Sequence, residues 1–282
     1  MSAVASTAIE SKERALRDVL RSCESVVIGF SGGVDSSFLA SVALDELGRD
    51  RVIAVTGRSP SYPEVQYEMA LNVARSVDLP HLEIDTHELD DPDYAANAPD
   101  RCYFCKAELY QRLVKVMHER GFKVVLDGSN ADDLDDHRPG LVAARELGVR
   151  SPLQEVGLTK AEIRTLSKRA GLPTWEIPAS PCLASRIAYG LEVTPERLRA
   201  IEEAEARLRD LHPWRELRVR YHGDLARLEV APEDIESLTE ARLRERVVQA
   251  LKQAGFSHAC LDLQGYRRGA LNESLSREGA EA

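Results

Sequence analysis

Along the chain, short unbroken apolar runs alternate with longer stretches in which apolar residues recur every three or four positions. Ser25-Val26-Val27-Ile28-Gly29-Phe30 is a β-branched run that ends in glycines, so it reads as a buried strand feeding a loop. From Ser36 to Leu47 the apolar residues Phe38, Leu39, Val42, Ala43 and Leu47 fall at helical spacing. The order continues as a strand over Arg51–Thr56, a helix over Glu64–Val77, a strand over His81–Asp85, a helix over Lys106–Arg120 and a strand over Lys123–Asp127. Alternating strands and helices predict a parallel sheet covered on both faces, with ligands bound beyond the carboxyl ends of its strands. The loop after Phe30 lies at such an end.

Farther on, Thr159-Lys160-Ala161-Glu162 has capping-box spacing and opens a helix that stops near Gly171, ahead of Pro173. An aperiodic, proline-containing stretch from Pro173 to Gly190 follows, and helix resumes at Thr194-Pro195-Glu196. The remainder reads as a helix to Leu211, strands near Leu217–Tyr221 and Ala226–Val230, a helix near Arg242–Gly255 and a last strand near Ala259–Leu263. The expected fold class is therefore α/β: a parallel-sheet domain over residues 1–178, a connector over 179–193 and a smaller α+β domain over 194–282 for substrate binding or oligomerisation. No repeat or low-complexity tract interrupts this order, and the tail from Asn272 is polar.

Composition narrows the classes. With 43% hydrophobic and 30% charged residues the chain has a globular balance. No apolar stretch approaches the roughly 20 residues needed to span a bilayer, and Met1–Arg14 lacks the apolar core of a secretory signal. A cytoplasmic protein with no membrane partner is expected. Forty-seven acidic against 37 basic residues give a net charge of -10, which disfavours a broad grip on nucleic acid and favours small-molecule chemistry. Five cysteines, odd in number and unevenly spaced, point in a reducing compartment to thiol chemistry or metal binding rather than to structural disulfides.

In Ser31-Gly32-Gly33-Val34-Asp35-Ser36-Ser37 the glycines let main-chain amides approach an anion closely, and the serine hydroxyls and the amino end of the following helix supply further donors. A pyrophosphate group suits such a loop. It is neither GxxxxGK(S/T) nor GxGxxG, and it lacks the lysine that serves γ-phosphate transfer. It resembles the SGGxDS(S/T) loop of the PP-loop ATP pyrophosphatases, whose fold is adenine nucleotide alpha hydrolase-like. The resemblance implies attack at the α-phosphate of ATP, with Asp35 helping to hold Mg2+. Gly128-Ser129-Asn130-Ala131-Asp132-Asp133, after a predicted strand, is similar to a family segment beside the nucleotide phosphates, and this brings Asn130 and Asp132 to the nucleotide site. Taken alone it is a turn with a helix cap.

Cys102 and Cys105 form a CxxC, which by itself fits a redox pair, half a zinc site or part of an iron-sulfur ligand set. Cys182 lies in the connector, where Arg186 or Arg101 would favour its thiolate if either lies near. Taken together, Arg101-Cys102-Tyr103-Phe104-Cys105-Lys106, Cys182-Leu183-Ala184-Ser185-Arg186-Ile187, Arg218-Val219-Arg220 and Gly265-Tyr266-Arg267 resemble the ATP-dependent sacrificial sulfur transferases of LarE type over nearly the whole chain. That resemblance implies adenylation of a pyridinium dicarboxylate mononucleotide and insertion of sulfur in nickel-pincer nucleotide biosynthesis. Cys182 matches the sulfur-bearing cysteine. Either its own sulfur is given up, leaving dehydroalanine, or Cys102, Cys105 and Cys182 hold a 4Fe-4S cluster whose open iron carries a sulfide. A homo-oligomer is expected.

Arg218 and Arg220 alternate along a strand and so share a face; with Arg186 they offer planar forks to substrate phosphate and carboxylates. Against this stands the plain reading of solvated edge-strand arginines. Glu205 and Asp234 are weaker candidates. The acidic run Asp132, Asp133, Asp135 and Asp136 suits Mg2+ or, apart from its first pair, a solvated loop equally, and the seven histidines show no metal-ligand spacing. Cys23 and Cys260 read as small core residues. The competing functions are another PP-loop adenylating enzyme, in tRNA thiolation or amide synthesis, and a non-enzymatic nucleotide or iron-sulfur sensor.

Overall fold

The computed structural model describes residues 3–134, 139–178, 181–267 and 270. Asp135, Asp136 and the tail from Asn272 lie outside the described residues. In chain order the elements are α1 (Ala3–Ser22), β1 (Val26–Gly29), α2 (Val34–Leu47), β2 (Val52–Arg58), α3 (Glu64–Ser76), β3 (His81–Asp85), α4 (Pro92–Ala95), α5 (Arg101–Arg120), β4 (Val124–Leu126), α6 (Pro139–Glu146), α7 (Pro152–Glu155) and α8 (Lys160–Arg169). Then come α9 (Pro195–Leu211), β5 (Leu217–His222), β6 (Leu225–Val230), α10 (Ala241–Gln253) and β7 (His258–Leu261). The chain divides into two compact units, Met1–Glu88 with Cys102–Ser180, and Leu89–Arg101 with Pro181–Ala282. The second unit thus includes a segment, Leu89–Arg101, that a cut at one point of the sequence does not separate.

The first unit is built on a four-stranded parallel sheet in the order β3-β2-β1-β4, with Val26 opposite Val52 and Val124. Its central strand is apolar throughout because both faces are covered. Val26 and Ile28 point into a cluster with Leu16, Leu20, Phe38, Leu39, Val73 and Ile163, contributed by α1, α2, α3 and α8. Between them Val27 points to the opposite face, where it joins Tyr110, Leu113 and Val116 of α5 and Ala143 of α6. The alternation of side chains along a strand decides which helix each valine meets. α/β with a parallel sheet is the expected class.

The second unit carries a three-stranded sheet in the order β5-β6-β7, with β5 and β6 antiparallel and β6 and β7 parallel. Val219, Leu228, Leu208, Val247 and Leu251 form the core between this sheet and α9 and α10. Thr194 caps α9 by accepting a hydrogen bond from Arg197 N, and Pro195 fills the first helical position. No helix among the described residues is long and apolar enough to cross a membrane.

Two differences from the sequence expectations bear on function. α5 begins at Arg101 rather than Lys106, so Cys102 and Cys105 sit in a helix; Pro99 and Asp100 just before it are residue types that start helices. Cys260, expected in a core, is exposed because β7 is an edge strand. Cys23 is buried as expected, and burial pushes its thiol up.

Candidate functional site

β1 ends at Gly29 and the chain turns through Ser31, Gly32 and Gly33 into α2. Gly32 has φ +67°, and a Cβ there would stand 2.6 Å from Ala70 Cα, so no side chain fits between loop and α3. The same helix fixes the loop by hydrogen bonds: Gln66 Nε2 and, just before α3, Tyr62 Oη donate to Ser31 O at 3.1 and 2.9 Å. Inside the loop Ser36 Oγ accepts from Ser31 N at 3.3 Å and donates to Gly33 O at 3.2 Å. Ser37 N donates to Gly33 O at 3.0 Å, and the main-chain amides that precede it in α2 have no acceptor within the helix, which leaves them to an anion. Ser37 Oγ is buried without a hydrogen-bond partner in the loop, and so is Asp35 Oδ1.

The second loop packs directly on the first. A Cβ on Gly128 would lie 3.0 Å from Ser36 N, which leaves glycine as the residue that allows this approach. Asp127, buried, organises the turn: its carboxylate accepts from Tyr110 Oη at 2.7 Å, Ser129 N at 3.1 Å, Ser129 Oγ at 2.9 Å and Ser151 Oγ at 2.7 Å. Asn130 and Asp133 cap each other's main chain reciprocally. Asp132 accepts from the N–H of Lys160 at 3.0 Å, and the Lys160 ammonium is paired with Asp35. Burial raises the Asp35 carboxyl above its ordinary range; Lys160 opposes this, Asp133 adds to it and Asn130 opposes it. The predicted residues Ser31, Gly32, Gly33, Asp35, Ser36, Ser37, Asn130 and Asp132 are therefore gathered in one unit. Tyr62, Gln66, Asp127 and Lys160 escaped the sequence reading. Of these only Lys160 carried a signal, its place just inside a capping box.

Cys182 stands at the start of a short turn, Leu183–Arg186, in the second unit. Its carbonyl oxygen accepts from Ser185 N at 3.0 Å, Ser185 Oγ at 2.7 Å and Arg186 Nη1 at 3.1 Å. Arg186 also donates to Pro181 O at 2.6 Å, Arg101 to Ala184 O at 3.0 Å and Arg220 to Ser185 O at 2.9 Å. Arginines thus hold the carbonyls on either side of the cysteine. Arg186 is 1% exposed and paired with Glu205 at 3.0 Å, and Arg220 is paired through two nitrogens with Glu229 at 2.9 and 2.7 Å. Burial alone would raise the Glu205 carboxyl, but the charge and hydrogen bond of Arg186, with Arg209 and Arg218, hold it below its ordinary value.

Arg218 and Arg220 share a face of β5 as the strand period requires, yet neither is solvated. Arg218 is buried, donates to Leu217 O at 2.6 Å and lies 5.1 Å from the Tyr266 ring centroid; burial and the charge of Arg186 lower its pKa. Asp234 accepts from Arg215 N at 2.9 Å, a main-chain support.

Cys102 and Cys105 are three residues apart, the second and fifth residues of α5, so both lie on one side of the helix. That spacing fits two thiolate ligands of one metal centre. Cys182 belongs to the other unit, and among the described residues no group of three or more His, Cys, Asp or Glu is gathered as a metal site. For Mg2+ the first unit offers a fitting acceptor, the buried Asp35 Oδ1 beside the phosphate loop.

Residues 8–118 match the NAD synthase family model. An uncharacterized protein of Synechocystis sp. is 42% identical over 269 residues, covering 95% of this chain and all of that one. An uncharacterized protein of Methanocaldococcus jannaschii is 30% identical over 86% of this chain and 90% of its own length. The pyridinium-3,5-bisthiocarboxylic acid mononucleotide synthase of Lactiplantibacillus plantarum is 34% identical over 275 residues, 95% of this chain and 96% of that enzyme. A phosphate loop followed by an arginine-held cysteine turn, with this identity from end to end, means that the chain belongs to the pyridinium-3,5-bisthiocarboxylic acid mononucleotide synthase family.

Proposed function

We propose that this protein is an ATP-dependent, AMP-forming sulfur transferase that adenylates a carboxylate of a pyridinium dicarboxylate mononucleotide and replaces the activated oxygen with sulfur. The observation that carries the reading is the Cys182 turn, whose main chain is held by Arg101, Arg186 and Arg220 in a family of bisthiocarboxylate synthases. The phosphate loop supports the first half of the reaction. A substrate carboxylate oxygen attacks the α-phosphorus of ATP, and pyrophosphate leaves with the electrons of the broken P–O bond. The amides of α2 and the hydroxyls of Ser31, Ser36 and Ser37 receive the polyphosphate. Mg2+, when bound, supplies the charge that neutralises the leaving group, and Asp35 is its proposed protein ligand.

In the second half, the Cys182 thiolate attacks the acyl carbon and AMP departs, leaving a thioester. Loss of the Cys182 Cα proton and cleavage of Cβ–Sγ then leave a thiocarboxylate on the substrate and dehydroalanine in the chain. The donors on the Cys182 carbonyl favour this proton loss, because charge that develops at Cα is delocalised onto that oxygen. Arg218 and Arg220 are the proposed partners of the substrate's anionic groups, and Arg186, whose charge is paired with Glu205, acts instead by holding the turn that carries Cys182.

A second reading, with Cys102, Cys105 and Cys182 as the ligands of a 4Fe-4S cluster, is favoured by the CxxC pair on one helical turn. Such a cluster would supply an open iron to carry sulfide. Iron and sulfide assay of anaerobically purified wild type and Cys102→Ala tests it: an active wild type without iron would sink this reading. The main reading is tested by pyrophosphate release on mixing with ATP, Mg2+ and the pyridinium dicarboxylate mononucleotide. Asp35→Ala is expected to abolish release, whereas Cys182→Ala retains it and loses thiolation. Thiolation by Cys182→Ala would overturn the assignment.

A further inference from the structure

The helix that begins beside the phosphate loop also holds the stretch of chain from which Cys182 departs. Along α8, Lys160, Arg164 and Lys168 recur at every fourth position and so share one side of the helix. Lys160 pairs with Asp35 of the phosphate loop, and the other two hold residues 175–177. We propose that Arg164 is a positioning residue for sulfur transfer: by fixing residues 175–177 to α8 it sets where the chain that bears Cys182 leaves the first unit, so that an activated substrate is attacked by sulfur rather than by water. The proposal rests on the adenylation and sulfur-transfer reading given above.

The grip calls for an arginine. Arg164 Nη1 donates to Trp175 O at 2.7 Å and Nη2 donates to Ile177 O at 2.8 Å, so both prongs of one planar fork are committed to neighbouring carbonyls. A lysine, a point charge on a flexible stem, cannot reproduce that fork. Lys168 adds to the hold, its ammonium standing 4.0 Å from the centroid of the Trp175 ring. Residues 175–177 lie outside the helices and strands. Their main chain contributes turn bonds from Trp175 N to Leu172 O at 3.4 Å and from Ile177 N to Thr174 O at 3.1 Å, and Pro178 has no N–H to add another. Arg164 and Lys168 tie this irregular stretch to the helix.

Cys182 follows Ile177 by five residues. On so short a tether a displaced root displaces the sulfur, and a misplacement of about 1 Å can cost about a hundredfold in rate. The acyl-adenylate has two fates. If the Cys182 thiolate attacks the acyl carbon, AMP leaves with the electrons of the broken C–O bond and the sulfur stays on the substrate. If water attacks instead, AMP leaves in the same way, a proton is released and the carboxylate is regenerated, with one ATP consumed and no sulfur transferred. Adenylation draws on the phosphate loop, whereas the Arg164 fork is bound to residues 175–177, so its loss should act on the second step alone.

Pyrophosphate released and thiocarboxylate formed, measured on the same samples with enzyme in excess over the pyridinium dicarboxylate mononucleotide, test the proposal. Arg164→Met, which keeps an apolar stem and loses the fork, should retain the wild-type KM for ATP and rate of pyrophosphate release, while the ratio of pyrophosphate to thiocarboxylate rises by about tenfold to a hundredfold. Arg164→Lys should raise the ratio by less. A folded Arg164→Met with the wild-type ratio, or one in which pyrophosphate and thiocarboxylate fall together, would overturn the role of Arg164. If Arg164→Met does not fold, Arg164→Lys decides: a raised ratio supports the role and a wild-type ratio overturns it. Wild type that releases no pyrophosphate with this substrate overturns the adenylation reading and the proposal with it, an outcome seen before any variant is made.

Discussion

At Gly32 the demands of backbone and packing coincide. With φ at +67° an L side chain is strained by roughly 1–2 kcal/mol, and the added methyl would meet Ala70 at 2.6 Å. Gly32→Ala is therefore expected to displace the loop and abolish measurable ATP binding, with little change in the far-ultraviolet dichroism of the chain; retained wild-type affinity would contradict the assigned geometry. Glu205 presents a different balance. Its carboxylate, 2% exposed, neutralises Arg186, and removing one member of such a buried pair costs about 3–5 kcal/mol. Because the folded-state value is held below the ordinary carboxylate range, the stabilisation is complete at neutral pH and is lost as pH falls through that depressed value. Glu205→Gln should lower the urea midpoint at pH 7 and flatten the loss of stability on acidification, followed by circular dichroism. Sequence showed these arginines and glutamates as residue types. It did not show that Arg186 and Glu205, 19 positions apart, spend their charge on one another, so Arg186 read as a substrate donor.

The elements were legible where one period dominated. β1, α2, β3 and α8 follow from an apolar run, a helical repeat and a capping box, and the structure moves their ends by only a few residues. α1 went unread although Ile9, Leu16 and Leu20 mark its buried side; its many charged and alanine positions hid the stripe. That helix matters to the site through Lys12, which donates to Glu162 at 2.9 and 2.8 Å and to Gly157 O at 2.7 Å, bracing the start of α8. Thr159 completes the brace by accepting from Glu162 N at 3.3 Å. Thr159→Ala should cost about 1 kcal/mol of stability and also raise the KM for ATP, because α8 positions Lys160. An unchanged KM beside the stability loss would show that the cap serves the fold alone.

At the scale of the whole chain, the proposed chemistry has a stoichiometric consequence. Sulfur drawn from Cys182 itself is not regenerated, so each polypeptide delivers one atom and a doubly thiolated product consumes two chains. The product formed in a single incubation should therefore plateau at no more than half the enzyme present. The intact mass of the spent protein should fall by the elements of H2S, with the change confined to the peptide containing Cys182. The enzyme's acidity and its parallel sheet are silent on this, since both sulfur routes use the same ATP chemistry on the same fold. What separates them is the fate of a single β-carbon. Product beyond the plateau with unchanged mass and bound iron would transfer the assignment to Cys102, Cys105 and Cys182 acting together; unchanged mass with no iron would remove Cys182 as the source of sulfur altogether.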